Sequence, residues 1–245
     1  MPSIATRRTP INPLWLWLPL ACYYLIGFSG LIYEPLHSTS QEILNSGARR
    51  NPSESALIEH LEALFWLLAT VIYSIVVYRH RAASRSFLWP AIFACLCFVA
   101  LGEEVSWGQH IFQFEAPPTF EQINTQQELN IHNLHLAKVL GLSPTNPLYP
   151  YLGSLTALLN PLFYLVCIFL WLIAPVVISI FAWNQKYRYL KSYPLQTIPF
   201  YASFFIATCI YSVVDIFIFD AGELFELTMA TAGAITSFIQ LQRTA

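Results

Sequence analysis

Long apolar runs separated by short polar segments dominate the pattern of the chain. A helix needs about 20 mostly apolar residues to cross a bilayer. Six runs approach or exceed that length, at residues 11–31, 56–78, 87–101, 152–183, 195–219 and 224–239. The pattern therefore predicts an all-α, polytopic membrane helix bundle with about six transmembrane helices, formed as a single domain over residues 1–245. Pro161 and Pro175 predict kinks in the fourth helix.

The composition of the chain also indicates a membrane protein, and it excludes a nucleic-acid-binding protein. Hydrophobic residues make up 56% of the chain and charged residues only 11%, whereas soluble domains carry about 25% charged residues. The mean hydropathy is +0.52. The 12 basic residues do not exceed the 14 acidic ones and form no basic block, so a nucleic-acid-binding function is excluded.

The distribution of charge predicts the orientation of the helices. Cytoplasmic loops of membrane proteins are enriched in Lys and Arg. With six crossings and both termini cytoplasmic, nine of the 12 basic residues lie inside and only Arg49, Arg50 and Lys138 lie outside. All 14 acidic residues then fall at the outer ends of helices or in outer loops. We therefore expect a multi-pass inner-membrane protein whose chemistry faces the periplasm.

The densest polar stretch follows the third apolar run and reads Gly-Glu-Glu-Val-Ser-Trp-Gly-Gln-His over residues 102–110. If the helix continues, Glu103, Trp107 and His110 share one face at i, i+4 and i+7. Adjacent carboxylates at a helix C-terminus oppose the helix dipole and repel each other, so Glu103 and Glu104 require a cation, a shared proton or a metal. The alternative is that the helix ends at Gly102 and the glutamates are solvated.

A second polar segment, residues 124–135, follows Pro117 and Pro118 within an outer amphipathic or re-entrant segment around residues 117–150. As a helix, it would place Glu128, His132 and His135 on one face, in a spacing suited to zinc or iron. The alternative is a short interfacial segment whose polar side chains are solvated and whose apolar residues anchor it in the membrane surface.

Two helices open with acidic pairs at i and i+3, Glu59 with Glu62 and Glu223 with Glu226. The helix dipole favours acids in a first turn, which is the simplest explanation. However, Glu62 and Glu226 lie inside apolar runs, where an ionisable group usually faces a partner or a cavity. Asp215 lies deeper still. Many carboxylates with few nearby cations indicate a bound metal or shared protons.

The runs GEEVSWGQ and NTQQELNIHN resemble motifs of a family of uncharacterised bacterial multi-pass inner-membrane proteins, approximately GEE(I/V)SWGQ followed by NxQxExNxHN. The resemblance covers residues 55–133. It implies eight signature positions: Glu103, Glu104, Trp107, Gln109, Glu128, Asn130, His132 and Asn133. Arg is usual in the family where this chain has His110, and the family pattern stops before His135, so the resemblance favours His132 with carboxylates over a three-histidine site.

These observations lead first to a membrane-embedded, metal-dependent hydrolase or transferase that acts on lipids or lipid-linked substrates. Glu104 is the predicted general base, with Glu103 as a partner and with Trp107 and Gln109 shaping the pocket. A divalent metal (Zn, Fe or Mn) would be bound by a set drawn from both polar segments and the second helix: His132, Glu128, Glu103 and Glu62.

Two alternatives remain open. One is a non-catalytic subunit that packs against other membrane subunits and docks a partner on its outer polar segment. The other is a proton- or ion-coupled transporter with a relay through Asp215, Glu62, Glu226 and Glu103. Membrane lipids are expected partners in every case.

Overall fold

The computed structural model describes residues 12–32, 57–153, 155–217 and 222–244. It is all-helical, with 76% helix and no strand in the described part, which confirms the all-α part of the prediction. The longer helices are, in chain order, α1 Trp17–Ile32, α2 Leu57–Ala82, α3 Leu88–Glu104, α4 Thr156–Ile168, α5 Ala174–Ile180, α6 Ile198–Phe217 and α7 Gly222–Arg243.

Helix α7 lies at the centre of the bundle and packs against α2, α1 and α6. Its small residues allow this close approach, as is common between membrane helices. A Cβ atom added at Gly233 would lie 3.1 Å from the ring of Trp66 and 3.3 Å from that of Trp171. The two tryptophan rings stack with their centroids 6.1 Å apart. The absent side chain at position 233 therefore makes room for this aromatic pair.

Helix α2 is apolar on both of its faces. One face packs into the bundle, while Leu64, Leu67, Val71 and Ile75 form an exposed stripe on the other. A helix that is apolar all round belongs either in a protein core or in lipid. Because this stripe is exposed, it is suited to contact with lipid.

Within the described ranges, three helices are long and apolar enough to cross a membrane: Leu57–Ala82, Pro161–Ile180 and Leu224–Arg243. They coincide with the second, fourth and sixth predicted spans. The first and fifth predicted spans contain shorter apolar helices, Pro13–Ile26 and Ile198–Val213. Six crossings therefore remain a prediction.

Of the two prolines predicted to kink the fourth helix, Pro161 lies inside α4, and Pro175 lies in the first turn of α5. Residues Phe169–Ile173 form a π-helical turn between these two helices. Pro175, two residues after the end of this turn, has no N–H to donate to the carbonyl four residues earlier. Such turns leave carbonyl groups open to other donors. The Tyr193 hydroxyl donates to the Leu170 carbonyl at 2.6 Å.

The segment at residues 117–150 contains no long helix. It consists of short helical turns, Pro118–Ile123, Leu136–Val139 and Tyr149–Tyr151, joined by loops. It lies next to the end of α3, where both polar motifs meet.

Candidate functional site

Helix α3 ends at Glu104, and the chain then reverses through a left-handed turn. The φ angles are +45° at Ser106, +52° at Trp107 and +87° at Gly108. Left-handed backbone is unfavourable for residues with a Cβ, so contacts made by this turn must hold it. The expectation of one continuous helical face with Glu103, Trp107 and His110 is therefore wrong; the side chain of His110 lies outside the described residues.

The Trp107 side chain folds back over the last turn of α3. A Cβ atom on Gly102 would lie 2.9 Å from three carbons of the indole ring. The Trp107 Nε1–H donates to Glu103 Oε1 at 2.7 Å, and the ring packs edge-on against Phe98 at 6.0 Å between centroids. Position 102 therefore requires a glycine, because a side chain there would occupy the space of the Trp107 indole ring.

We expect Gly102→Ala to destabilise the turn by about 1–3 kcal/mol, because the added methyl group overpacks the contact with Trp107. Indole fluorescence and thermal unfolding of the detergent-purified protein measure this change. Gly153→Ala is the control, since a Cβ atom there meets nothing within 4 Å. Equal melting temperatures for both variants would contradict the assigned packing role.

The second motif, residues 124–135, which we name the motif loop, is not helical. The Asn124 side chain lies at its centre. Its Oδ1 accepts hydrogen bonds from the backbone N–H groups of Gln126 at 2.8 Å and Glu128 at 3.3 Å. Its Nδ2 donates to the carbonyl and to the side-chain oxygen of Asn130, both at 2.9 Å. Asparagine side chains compete with helical hydrogen bonds in this way.

The helical alternative for this segment, with Glu128, His132 and His135 on one face, is therefore wrong. The backbone of the loop is closed by an isolated antiparallel bridge between Asn124 and Leu134. His135 packs against the ring of Tyr149, with 5.1 Å between the ring centroids.

Glu103 joins the turn to the motif loop. Its Oε2 accepts hydrogen bonds from the backbone N–H groups of Ile131 at 2.7 Å and His132 at 3.1 Å, and lies 3.2 Å from His132 Nδ1. Glu103 lies beyond the apolar run that ends at residue 101. Burial raises its pKa, but the hydrogen bonds from His132, Trp107 and the two backbone groups outweigh this effect, so the pKa is lowered.

Two further side chains connect the motifs. Gln109 Oε1 accepts a hydrogen bond from the backbone N–H of Leu129 at 2.7 Å. Glu128 Oε2 accepts from the Ser106 hydroxyl at 2.7 Å and from Asn130 Nδ2 at 2.9 Å. The two motifs therefore form one hydrogen-bonded unit, and much of their polarity serves to hold that unit together.

The ring of His132 takes part in the same network. Its Nδ1 faces Glu103, and its Nε2 lies 3.1 Å from Asn133 Nδ2. An imidazole that carries its proton on Nδ1 satisfies both contacts, because Nε2 then accepts from the amide. Both ring nitrogens are occupied in this arrangement.

A cluster of carboxylates lies beside this unit. One oxygen from each of Glu62, Glu104 and Glu226 lies within 4.8 Å of the others; we name these three residues the carboxylate cluster. They come from α2, α3 and α7. Glu62 is fully buried, and the other two are partly buried. The Tyr164 hydroxyl of α4 donates to Glu226 Oε1 at 2.7 Å.

The spacing within the carboxylate cluster limits its charge. Three ionised carboxylates this close in a poorly solvated place repel one another strongly. They must share protons or hold a cation. Two oxygens bound to one divalent ion lie at most about 4–5 Å apart, because each metal–oxygen distance is about 2.0–2.6 Å. The cluster fits a single such ion.

The structure assembles the predicted residues differently from the expectation. Of the predicted metal set, only Glu62 belongs to a group with ligand spacing among the described residues. The carboxylates of Glu103 and Glu128 bind donors of the turn and the motif loop instead. Glu104, the predicted base, lies within the carboxylate cluster, while Trp107 and Gln109 brace the unit beside it.

Two residues of the site were missing from the predicted set. Glu226 carries a recognisable signal, since it repeats the position of Glu62, one turn inside an apolar run. Tyr164 has no such signal in the sequence, because tyrosines are common in apolar helices. The side chains of Asp215 and Glu223 lie outside the described residues.

Comparisons of the chain with profiles of protein families, with curated proteins and with solved structures give no match.

Proposed function

We propose that this chain is a membrane-embedded, metal-dependent hydrolase or transferase that acts on lipids or lipid-linked substrates. The observation that carries this proposal is the convergence of Glu62, Glu104 and Glu226 from three helices to within 4.8 Å. Burying ionisable groups among apolar helices is expensive, and such groups usually serve a function.

The residues around the cluster suit this chemistry. A divalent ion bound there, Zn, Fe or Mn, would activate a water molecule or a substrate hydroxyl. Glu62 is fully buried and suited to binding the ion, while Glu226 is oriented by the Tyr164 hydroxyl. Glu104 is partly exposed and lies at the helix end, so it can accept the proton of the attacking group as general base.

The surroundings of the site favour a lipid or lipid-linked substrate. The carboxylate cluster lies at one end of helices that are long enough to cross a bilayer, a position level with the headgroups. Beside it, Ile111, Phe112 and Phe114 expose large apolar side chains, with Phe112 76% exposed. Such side chains favour insertion into the membrane interface.

We propose the six-span topology with both termini cytoplasmic, which makes the cluster face the periplasm of an inner membrane. Charge along the helices supports it. Helix α2 has Glu59 in its first turn and Arg79, His80 and Arg81 in its last turn. Helix α7 likewise ends at Arg243, so the acidic and basic ends of these helices match the positive-inside rule.

A transporter relay has less support. No charged residue lies between Glu62 and Arg79 in α2, or between Glu226 and Arg243 in α7, whereas proton relays in membrane proteins are built from chains of ionisable groups. The non-catalytic subunit remains the second candidate, because the exposed apolar residues near the motif loop also suit a docking surface.

Elemental analysis of the detergent-purified protein tests the proposal. We expect about one Zn, Fe or Mn ion per wild-type chain and loss of that ion in Glu62→Gln, because the site loses a carboxylate ligand. His132→Ala should retain the ion, because its ring nitrogens are engaged within the motif loop. Glu115→Gln, an exposed carboxylate in the same outer region, is the matched control.

An absence of metal from the wild type, or its retention in Glu62→Gln, would overturn the metal site. With metal present, a screen of phospholipids and lipid-linked substrates follows. Turnover by the wild type and its loss in Glu104→Gln would support the enzyme, whereas co-purifying subunits without turnover would favour the second candidate.

A further inference from the structure

A cavity of about 470 Å³ opens at the end of the bundle opposite the carboxylate cluster. It lies where the C-terminal ends of α2 and α7 meet the short helix Arg188–Ser192. Its lining combines cations with hydrogen-bonding side chains, chiefly His80, Arg85, Lys191, Ser192, Gln240 and Arg243.

The walls of this cavity are built from buried polar side chains. Ser192 is 1% exposed, Gln240 6% and His80 7%. The His80 Nδ1–H donates to the Ser86 carbonyl at 2.6 Å, because a carbonyl oxygen can only accept. The hydroxyls of Ser86 and Ser192 lie 3.1 Å apart. These contacts hold the wall in place, so the site is organised before any ligand arrives.

The charge of the cavity is of one sign. Arg85, Lys191 and Arg243 line it, and among the described residues no carboxylate side chain does. Glu62 lies 18 residues before His80 in α2, which is about 27 Å along a helix. The nearest carboxylate on this helix is therefore too distant to neutralise the cations, and the cavity attracts anions.

We propose that this cavity binds a phosphate group. Guanidinium, ammonium and hydroxyl donors together form the donor set that phosphate oxygens accept from. Basic pockets between helices on the cytoplasmic side of a membrane bind anionic headgroups. The same chemistry would accept a phospholipid headgroup or free phosphate. This site is separate from the carboxylate cluster and does not depend on the function proposed for it.

Calorimetry on the full chain in phosphatidylcholine nanodiscs tests the proposal at low ionic strength. One arm titrates inorganic phosphate, and the other titrates a short-chain phosphatidylglycerol. Short-chain phosphatidylcholine, a zwitterion whose ammonium group balances its phosphate charge, is the reference of zero net charge. The test variant is Arg85→Gln with Lys191→Gln. We expect it to bind at least about tenfold more weakly than the wild type, because two charge-assisted contacts are removed.

The matched control is Arg79→Gln with Lys186→Gln, which removes the same charge from the same end of the protein but not from the cavity. All four side chains are exposed, so both variants should fold, and their melting temperatures verify this. Binding in both arms, with loss only in the cavity variant, supports the site. Binding in the phosphatidylglycerol arm alone, again with loss only in the cavity variant, also supports the site and identifies the lipid headgroup as the ligand. No binding in either arm, or equal loss in both variants, overturns it.

Discussion

A chelator should lower the melting temperature of the wild-type protein by roughly 5–10 °C, and Glu62→Gln should abolish this response. An ion that binds only the folded state at 100 times its Kd stabilises that state by about 2.7 kcal/mol. For a chain of this size, each kcal/mol corresponds to about 2–4 °C. Differential scanning fluorimetry with and without EDTA measures the shift.

The same experiment distinguishes a metal from shared protons. Glu115→Gln should keep the full wild-type response, because this exposed residue lies outside the carboxylate cluster. Without metal, Glu62→Gln should melt above the chelated wild type, since one of three mutually repelling carboxylates has been neutralised. A wild type insensitive to chelator, together with a more stable Glu62→Gln, would show that the cluster holds protons instead of an ion.

The main helices could be predicted from the sequence because they depend on local properties. The second predicted span, residues 56–78, and helix α2, Leu57–Ala82, differ mainly at the C-terminal end. There the helix continues through Arg79, His80 and Arg81. Hydropathy records where apolar surface ends, whereas the helix continues for as long as its backbone hydrogen bonds do.

The burial of Glu62 and Glu226 could also be predicted, but the convergence of their carboxylates with that of Glu104 could not. Glu62 and Glu226 are conspicuous because each lies within an apolar run. Their convergence with Glu104 depends on which helices are neighbours. That choice rests on long-range packing, such as the fit of Trp66 and Trp171 over Gly233, which no local pattern encodes.

The turn after α3 and the motif loop could not be predicted for the same reason. Locally, residues 103–110 and 128–135 both fit a helix with polar residues on one face. The left-handed conformation of Ser106 and Trp107 is held instead by contacts with Gly102, Glu103 and the motif loop. Glu103 was therefore predicted as a metal ligand, although its carboxylate binds the motif loop.

Glu103→Ala should release the motif loop from the end of α3. It removes the acceptor for the Trp107 indole and for the N–H groups of Ile131 and His132. Hydrogen bonds to charged groups each contribute about 1.5–3 kcal/mol, so we expect a local loss of about 3 kcal/mol or more. Hydrogen exchange at the two amides should accelerate about 100-fold, since each factor of ten corresponds to about 1.4 kcal/mol.

The pH dependence of amide exchange is an independent check of the contact between Glu103 and the motif loop. Because the pKa of Glu103 is below its ordinary value of 4.5, the contribution of its carboxylate to the stability of this contact is fully present above pH 4.5. It is lost as the pH falls through the lowered pKa. The exchange rate of the two amides in Glu103→Gln should lie between the rates in the wild type and in Glu103→Ala, since an amide oxygen still accepts hydrogen bonds. Glu121→Ala, an exposed control, should exchange at the wild-type rate. Unchanged exchange in Glu103→Ala would mean that the motif loop is held by Gln109 and Glu128 alone.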